Sequence, residues 1–360
     1  MKTIAYICTI AFLVFSCIED ENLKLKTIDY TPITTDDAWR VDSNYVKNYN
    51  ADKFQEIADL IFDENKFLFV RSMIIIKDGK MIFEAYTQNR NDRYAAMQIW
   101  SETKSFVSIL TGVAIDKKRI YSVRDSIFKY LPEYKKYADE KKLGIKIEDC
   151  LTMRSGIDYD NDGIEEDQII AQEPNDLIRF MIERPLIHQP GTFTFYKNSD
   201  PQLISKVVSN AVGMDLVKYA DSKLFKPLGI KNYYWSRNRD NTPYGGFGLW
   251  LSARDLAKFG QMILDNGVWR DNRIVSQAWI DSATTIRTSE YGYGYGYYFW
   301  SDQKQNKYIW CWGHAGQYIF ISREKNAVLV INSDQFADKG GTSIEEAFTL
   351  ADKAFGAISK

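Results

Sequence analysis

The chain reads as an α+β fold: an antiparallel β-sheet flanked by helices, with a mainly helical domain inserted between the two ends of the sequence. Three observations predict it. Two apolar runs, 68–76 and 81–86, are separated by a stretch containing Asp78-Gly79, a dipeptide that accepts the positive φ angles of a tight hairpin. Residues from 120 to about 240 then carry mostly helical periodicity and loops. Strand-like runs return late, at 293–300, 308–312, 318–322 and 327–332, and a helix at about 343–356 closes the chain.

The elements are taken in order. Lys2 precedes an apolar run, 4–15, that meets Ser16-Cys17. A positive start, a short apolar stretch and a small residue at the break describe a secretory signal, and the stretch is short for a membrane span. Val14-Phe15-Ser16-Cys17 resembles the lipobox of bacterial lipoproteins. That resemblance implies a signal peptide over 1–17 and lipid on Cys17, hence an exported lipoprotein of the cell envelope that meets the membrane through its anchor only. Residues 18–45 begin with Glu19-Asp20-Glu21, are polar and weakly periodic, and read as a tether.

The α/β domain is assigned to 46–119 and 241–360, and the mainly helical domain to 120–240. Within the first, Phe54, Ile57, Leu60 and Ile61 line one face of a helix over 52–63. A helix after Ser101, with Phe106, Ile109, Leu110, Val113 and Ala114, is apolar nearly all round and so buried. The insert carries helices near 174–183, 202–211 and 215–224. A glycine-rich loop follows at 245–253, then an amphipathic helix over 255–265 and, from Tyr291, a Tyr-Gly alternation that suits an edge strand.

Composition narrows the function. A formal net charge of −2 supplies no basic field, which argues against a nucleic-acid partner. Aromatic residues make up 14%, which fits either an aromatic core or an aromatic-walled cleft. Of four cysteines, Cys8 lies in the signal and Cys17 at its end. Cys150 and Cys311 could pair in an exported protein or stay as two buried thiols. The chain has no Cys-x-x-Cys and only two histidines, so no zinc site and no other cofactor is expected.

The chemistry begins at Ser101-Glu102-Thr103-Lys104. If Ser101 opens a helix, the residue three positions on lies on the same face, and the Lys104 amine reaches the Ser101 hydroxyl. Burial and a helix N-terminus both disfavour the charged amine and equip it as a base. The same N-terminus offers a backbone N–H to an oxyanion. The Ser-x-x-Lys spelling recurs at Ser126, Ser301 and Ser322, but only Ser101 lies between a strand pair and a buried helix. Tyr196-Lys197-Asn198 supplies a phenol that can relay a proton and an amide that can hold Lys104 or substrate. His314-Ala315-Gly316-Gln317 opens a predicted strand, with Gly316 where a ligand would approach the backbone. His188 reads as a structural loop residue.

Ser-x-x-Lys, then Tyr-x-Asn about 95 residues on, then His-x-Gly on a late strand, is an order that resembles the serine β-lactamase and penicillin-binding superfamily. Leu-Thr-Met-Arg-Ser-Gly at 151–156, Phe-Lys-Pro-Leu-Gly at 225–229 and the glycine-rich stretch 246–260 resemble further segments of it. The local cues at 101–106, 198–200 and 313–320 are most similar to the class C-like hydrolases that include 6-aminohexanoate-dimer hydrolase.

The resemblance implies a β-lactamase/transpeptidase-like fold. It implies Ser101 as acylated nucleophile, Lys104 as general base and Tyr196 as proton relay, with Asn198 supporting the network and His314 and Gly316 on the substrate side. The oxyanion hole would use the N–H groups of Ser101 and Gln317. His314 stands where true β-lactamases usually carry Lys, which removes a permanent positive charge and argues against efficient penicillin hydrolysis. The expected function is a serine hydrolase that forms an acyl-enzyme with a small amide, ester or peptide. The alternative is a β-lactam or peptidoglycan-fragment binding protein without turnover, and a surface scaffold without acyl chemistry comes third.

Overall fold

Asp78 and Gly79 take φ angles of +51° and +70°, the paired positive values of the hairpin turn that their sequence demands. They join β2 (Val70–Lys77) to β3 (Lys80–Tyr86) in antiparallel register, Lys77 opposite Lys80. This hairpin is the N-terminal contribution to a nine-stranded sheet in a computed structural model that describes residues 24–42, 44, 48–158, 175–302, 307–334 and 340–358.

The C-terminal half supplies most of the rest: β9 (Thr288–Glu290), β10 (Tyr293–Tyr295), β11 (Trp300–Ser301), β12 (Ile309–Gly313), β13 (Gln317–Ser322) and β14 (Ala327–Ser333). With β1 (Arg40–Val41) the order is β1-β3-β2-β14-β13-β12-β11-β10-β9. All pairs are antiparallel except β1 with β3. Central strands β2 and β14 are buried almost throughout, with the apolar runs Met73–Ile76 and Ala327–Ile331, because both faces of the sheet are covered.

On one face lie α1 (Ala51–Phe62) and the closing helix α9 (Ile344–Ala357). Phe54 meets Phe83, and Phe348 meets Trp310 and Phe320. On the other lie α2 (Thr103–Asp116) and α7 (Ala253–Leu264), joined by Phe106 stacked on Phe259 at 3.8 Å. Gly260 seats α7 on the sheet: a Cβ there would stand 2.6 Å from Val328 Cγ1 and 2.8 Å from Ile319 Cγ2. Each fully buried Phe, Ile or Leu in these layers contributes about 1.5–3 kcal/mol.

The intervening helices are α3 (Ile147–Leu151), α4 (Leu177–Glu183), α5 (Ser199–Val212) and α6 (Leu216–Ala220); α8 (Gln277–Thr284) follows α7. Helix α5 packs against α2 and α3. The α+β class, the flanking helices and the inserted helical unit are thus as the sequence predicts.

Several local expectations give way. The run 293–300 is two short strands, β10 and β11, because Gly296 presses on the end of α8, where a Cβ would lie 2.2 Å from Ala283 O, and Tyr298 turns with φ +64°. The helix expected over 215–224 leaves α-geometry after Ala220 for a π segment, Asp221–Phe225. The glycine-rich 245–253 contains a strand, β6 (Leu249–Leu251), paired with β4 (Met97–Gln98) and β5 (Tyr234–Trp235), and a short antiparallel pair, β7 (Val268–Trp269) and β8 (Asn272–Arg273), follows α7.

Residues 24–42, read as part of a tether, pack on the body. Leu25 N–H donates to Thr87 O, Glu84 N–H donates to Tyr30 O, and buried Trp39 Nε1 donates to Arg254 O. A few spaced apolar residues, Leu25, Tyr30, Trp39 and Val41, anchor this polar stretch without any periodicity. The signal segment, with Cys17, lies outside the described residues.

Candidate active site

Ser101 sits in a single 3₁₀ turn, Trp100–Glu102, that runs directly into α2. Three contacts fix that turn. Ile99 N–H donates to Leu249 O at 2.9 Å, which ties it to β6. Thr103 Oγ1 donates to Trp100 O at 2.6 Å. Gly313, ending β12, allows a close approach, since a Cβ there would lie 2.3 Å from Ile99 O. Trp100 takes φ +48°, a left-handed backbone that costs a bulky side chain about 1–2 kcal/mol and is held by these neighbours.

One 3₁₀-to-α turn later comes Lys104, only 1% exposed. Its Nζ lies 2.8 Å from Ser101 Oγ, 2.6 Å from Asn198 Oδ1 and 2.9 Å from Gly246 O. The asymmetry of this set matters. Asn198 Oδ1 and Gly246 O are acceptors only, whereas the serine hydroxyl both donates and accepts. A neutral amine satisfies all three by donating to the two oxygens and accepting the Ser101 proton. An ammonium satisfies all three by donating to each. The cage therefore holds the amine before and after it takes a proton, with no change of partners.

Asn198 caps α5, and the Tyr196 ring centroid stands 4.8 Å from Lys104 Nζ. Tyr196 belongs to an aromatic cluster, with Tyr291, Tyr295 and Trp300 at centroid distances of 6.1, 6.1 and 5.5 Å. Trp312 joins at 5.4 Å from Trp300. Tyr291 is exposed while Trp300 is buried, so the cluster runs from the core to the surface.

The third motif lies in the turn between β12 and β13, not on the strand, which starts at Gln317. Ala315 and Gly316 take φ +56° and +84°. Gly316 is required: a Cβ would meet Thr342 N at 2.6 Å and Ser333 Oγ at 2.7 Å. Gln317 is buried, with Nε2 donating to Ser333 O at 3.0 Å. His314 is exposed and meets Trp100 edge-on at 5.3 Å, beside the residue preceding Ser101. The three motifs thus converge from α2, α5 and the β12–β13 turn.

Lys197 turns away from this cage. It is buried, donates to Ile157 O at 2.7 Å and lies 3.6 Å from Asp200 Oδ1. Burial pushes the Asp200 carboxyl up against the opposing pull of Lys197. This pair braces the start of α5 and supplies no cation to the cleft. His188 stacks on Phe193 at 4.2 Å in a loop.

Glu102, inside the first motif, is fully buried, and burial holds its carboxyl well above the ordinary glutamate range. It lies near the Cys311 thiol, itself pushed up by burial first and by Glu102 second. Cys311 and Cys150 are both free and buried. Among the described residues no cluster of His, Cys, Asp or Glu could hold a metal ion.

Sequence reasoning missed Gly246 as a direct partner of Lys104. A Cβ at Gly246 would lie 2.3 Å from Asn198 Oδ1, so only glycine lets this carbonyl and that amide share one amine. The residue stood in a segment singled out for its glycines, but a role played by a backbone oxygen leaves no side-chain signature.

A family model described as Beta-lactamase matches residues 71–349. Among curated proteins, the 6-aminohexanoate-dimer hydrolase of Paenarthrobacter ureafaciens is 25% identical over 229 residues, which is 59% of this chain and 56% of that protein. The match thus spans little more than half of that relative. A Bacillus anthracis protein assigned as a 6-aminohexanoate-dimer hydrolase superposes with a TM-score of 0.71 at 16% identity, over 96% of this chain and 92% of its own. The D-alanine carboxypeptidase AmpC of Burkholderia cenocepacia gives 0.64 at 17% identity, over 85% and 99%. At these identities the superpositions speak for the fold.

Proposed function

The chain belongs to the beta-lactamase family, and from that premise we propose that it is a serine hydrolase which cleaves a small amide, ester or peptide through an acyl-enzyme on Ser101. The observation that carries the proposal is the caged amine. A buried Lys104 Nζ at 2.8 Å from Ser101 Oγ, with two acceptor-only partners, is arranged to receive the serine proton.

Lys104 takes the proton as Ser101 Oγ bonds to the substrate carbonyl carbon. The carbonyl electron pair moves to oxygen, toward the backbone N–H groups assigned from Ser101 and Gln317. Preorganised donors of this kind contribute about 3–4 kcal/mol each to such steps. The tetrahedral species collapses, the bond to the leaving nitrogen or oxygen breaks, and Tyr196 passes a proton to that atom. Lys104 passes its proton on to Tyr196 and is neutral again. Water then attacks the acyl carbon and gives a proton to Lys104, the bond from Ser101 Oγ to that carbon breaks, the acid departs, and the proton returns from Lys104 to Ser101 Oγ. General acid–base transfer of this kind contributes about 10²–10⁴-fold. His314, Gly316 and the aromatic wall around Tyr291 and Trp312 face the substrate side in this account. No cofactor enters the mechanism, since each proton and each electron pair is carried by the residues named.

The test is turnover of p-nitrophenyl acetate by purified protein, with Ser101→Ala and Lys104→Ala beside it. The proposal requires both variants to lose it; wild-type rates in Ser101→Ala would end it. A stoichiometric burst with no further turnover would favour the non-turnover binding protein instead.

We also propose that Cys17 is lipidated and that the enzyme works in the cell envelope. The support is the sequence of 1–17. Incorporation of labelled palmitate that vanishes in Cys17→Ala tests it.

A further inference from the structure

We infer that Gln202, a residue of the helical insert, is a positioning residue for Lys104: it sets the Gly246 carbonyl that orients the amine. The inference rests on the acyl-enzyme reading above and extends it to a side chain that touches none of the reacting atoms.

Gln202 lies one turn after Asn198 on α5, and its N–H donates to Asn198 O at 3.1 Å. It is 2% exposed. Its side-chain Oε1 accepts from Gly245 N–H at 2.7 Å, and its Nε2 donates to Pro243 O at 3.0 Å. These backbone partners fix which end of the amide is which, because the reversed amide would set oxygen against oxygen. Ser205 holds the other side, with Oγ accepting from Gln202 Nε2 at 3.4 Å and donating to Gln202 O at 2.7 Å. The amide is a buried two-point clamp on residues 243–245.

The next residue along is Gly246, whose oxygen takes Lys104 Nζ at 2.9 Å. The loop is pressed onto α5 at both glycines. A Cβ on Gly245 would lie 2.3 Å from Pro201 O, and one on Gly246 would lie 2.3 Å from Asn198 Oδ1. Beyond Gly248 the chain enters β6, which pairs with β4 just before Ser101. The far end of the loop is therefore tied into the separate three-stranded sheet β4-β6-β5, and Gln202 ties its near end to the insert. The N-terminal end of α5 serves Lys104 twice, directly through Asn198 and at one remove through Gln202 and Gly246. An error of about 1 Å in such a contact costs up to about 10²-fold in rate.

The experiment measures kcat/KM for p-nitrophenyl acetate across pH in wild type, Gln202→Met, Gln202→Glu and Ser101→Ala, with folding of each confirmed by a cooperative thermal transition. Met keeps about the same volume and removes both hydrogen bonds to the loop. The expected result is a plateau about 10-fold or more below wild type. The acid limb should also move to lower pH, because an ammonium that loses the Gly246 oxygen loses a partner favouring its charge. A protonated Glu carries one acceptor and one donor, the pair that the loop uses, and loses the donor on ionising. The ratio of Gln202→Glu to wild type should therefore be highest at low pH and fall as pH rises, a dependence that loosened packing alone does not produce.

Folded Gln202→Met with a wild-type plateau and limb, or folded Gln202→Glu with a ratio flat across pH, would overturn the inference while leaving Ser101 as nucleophile. Wild-type turnover in Ser101→Ala would instead remove the reading beneath it. If Gln202→Met does not fold, the pH dependence of the Gln202→Glu ratio decides alone.

Discussion

Asn198 Oδ1 and Lys104 Nζ stand 2.6 Å apart across 94 residues of chain, one at the N-cap of α5 and the other in the first turn of α2. The contact joins the helical insert to the sheet unit at the atom proposed to move the proton. Asn198→Ala removes an acceptor worth about 1.5–3 kcal/mol toward a charged donor. The expected loss is about 10- to 100-fold in kcat/KM for p-nitrophenyl acetate. It should fall mainly on kcat, since the amine and not substrate binding is disturbed. A pure KM effect would assign Asn198 to substrate instead.

Gly246→Ala tests the same cage from the loop side. The added methyl would stand 2.3 Å from Asn198 Oδ1 and must push either the amide or the loop away. Overpacking of this size costs about 1–3 kcal/mol. Denaturant unfolding should show that loss, and turnover per folded molecule should fall with it. A stable and fully active variant would contradict the shared use of Lys104 by the two oxygens.

Glu102 predicts a stability effect with a definite sign. Burial holds its carboxyl well above the ordinary range, so the folded chain keeps a proton that the unfolded chain releases. Wild-type stability therefore falls as pH rises past the ordinary glutamate value, by at most about 1.4 kcal/mol per pH unit, until the folded carboxyl also ionises. Glu102→Met has no such proton. The variant's advantage in urea unfolding should grow between pH 4.5 and pH 7, a range of about 2.5 units set by the ordinary carboxyl value. A difference that stays constant across that range would show the carboxyl ionising normally in the fold.

Much of this molecule is legible in its sequence, for identifiable reasons. The Asp78-Gly79 hairpin, the buried α2 and the late strands follow from turn chemistry and apolar periodicity, which are local. Ser101 and Lys104 are local too, since helix geometry alone brings positions three apart together. Tyr196 and Asn198 are candidates through their side-chain chemistry, to which the resemblance adds the order of the motifs, and the fold brings both to the amine. What stayed hidden depends on tertiary contact. The Gly246 carbonyl and the Gln202 clamp act through backbone atoms that no residue type announces. The packing of 24–42 rests on isolated residues such as Trp39, whose partner lies 215 positions away. Lys197, adjacent to two candidate site residues, turns into the core because Asp200 and Ile157 O wait there.

The central claim is a covalent one, and the most direct measurement is the mass of the protein quenched in acid within its first turnovers of p-nitrophenyl acetate. The account predicts one added acetyl group per chain, located by fragmentation on Ser101 and absent from Ser101→Ala. An acetyl group found on another residue, or turnover that proceeds in Ser101→Ala at the wild-type rate, would contradict it.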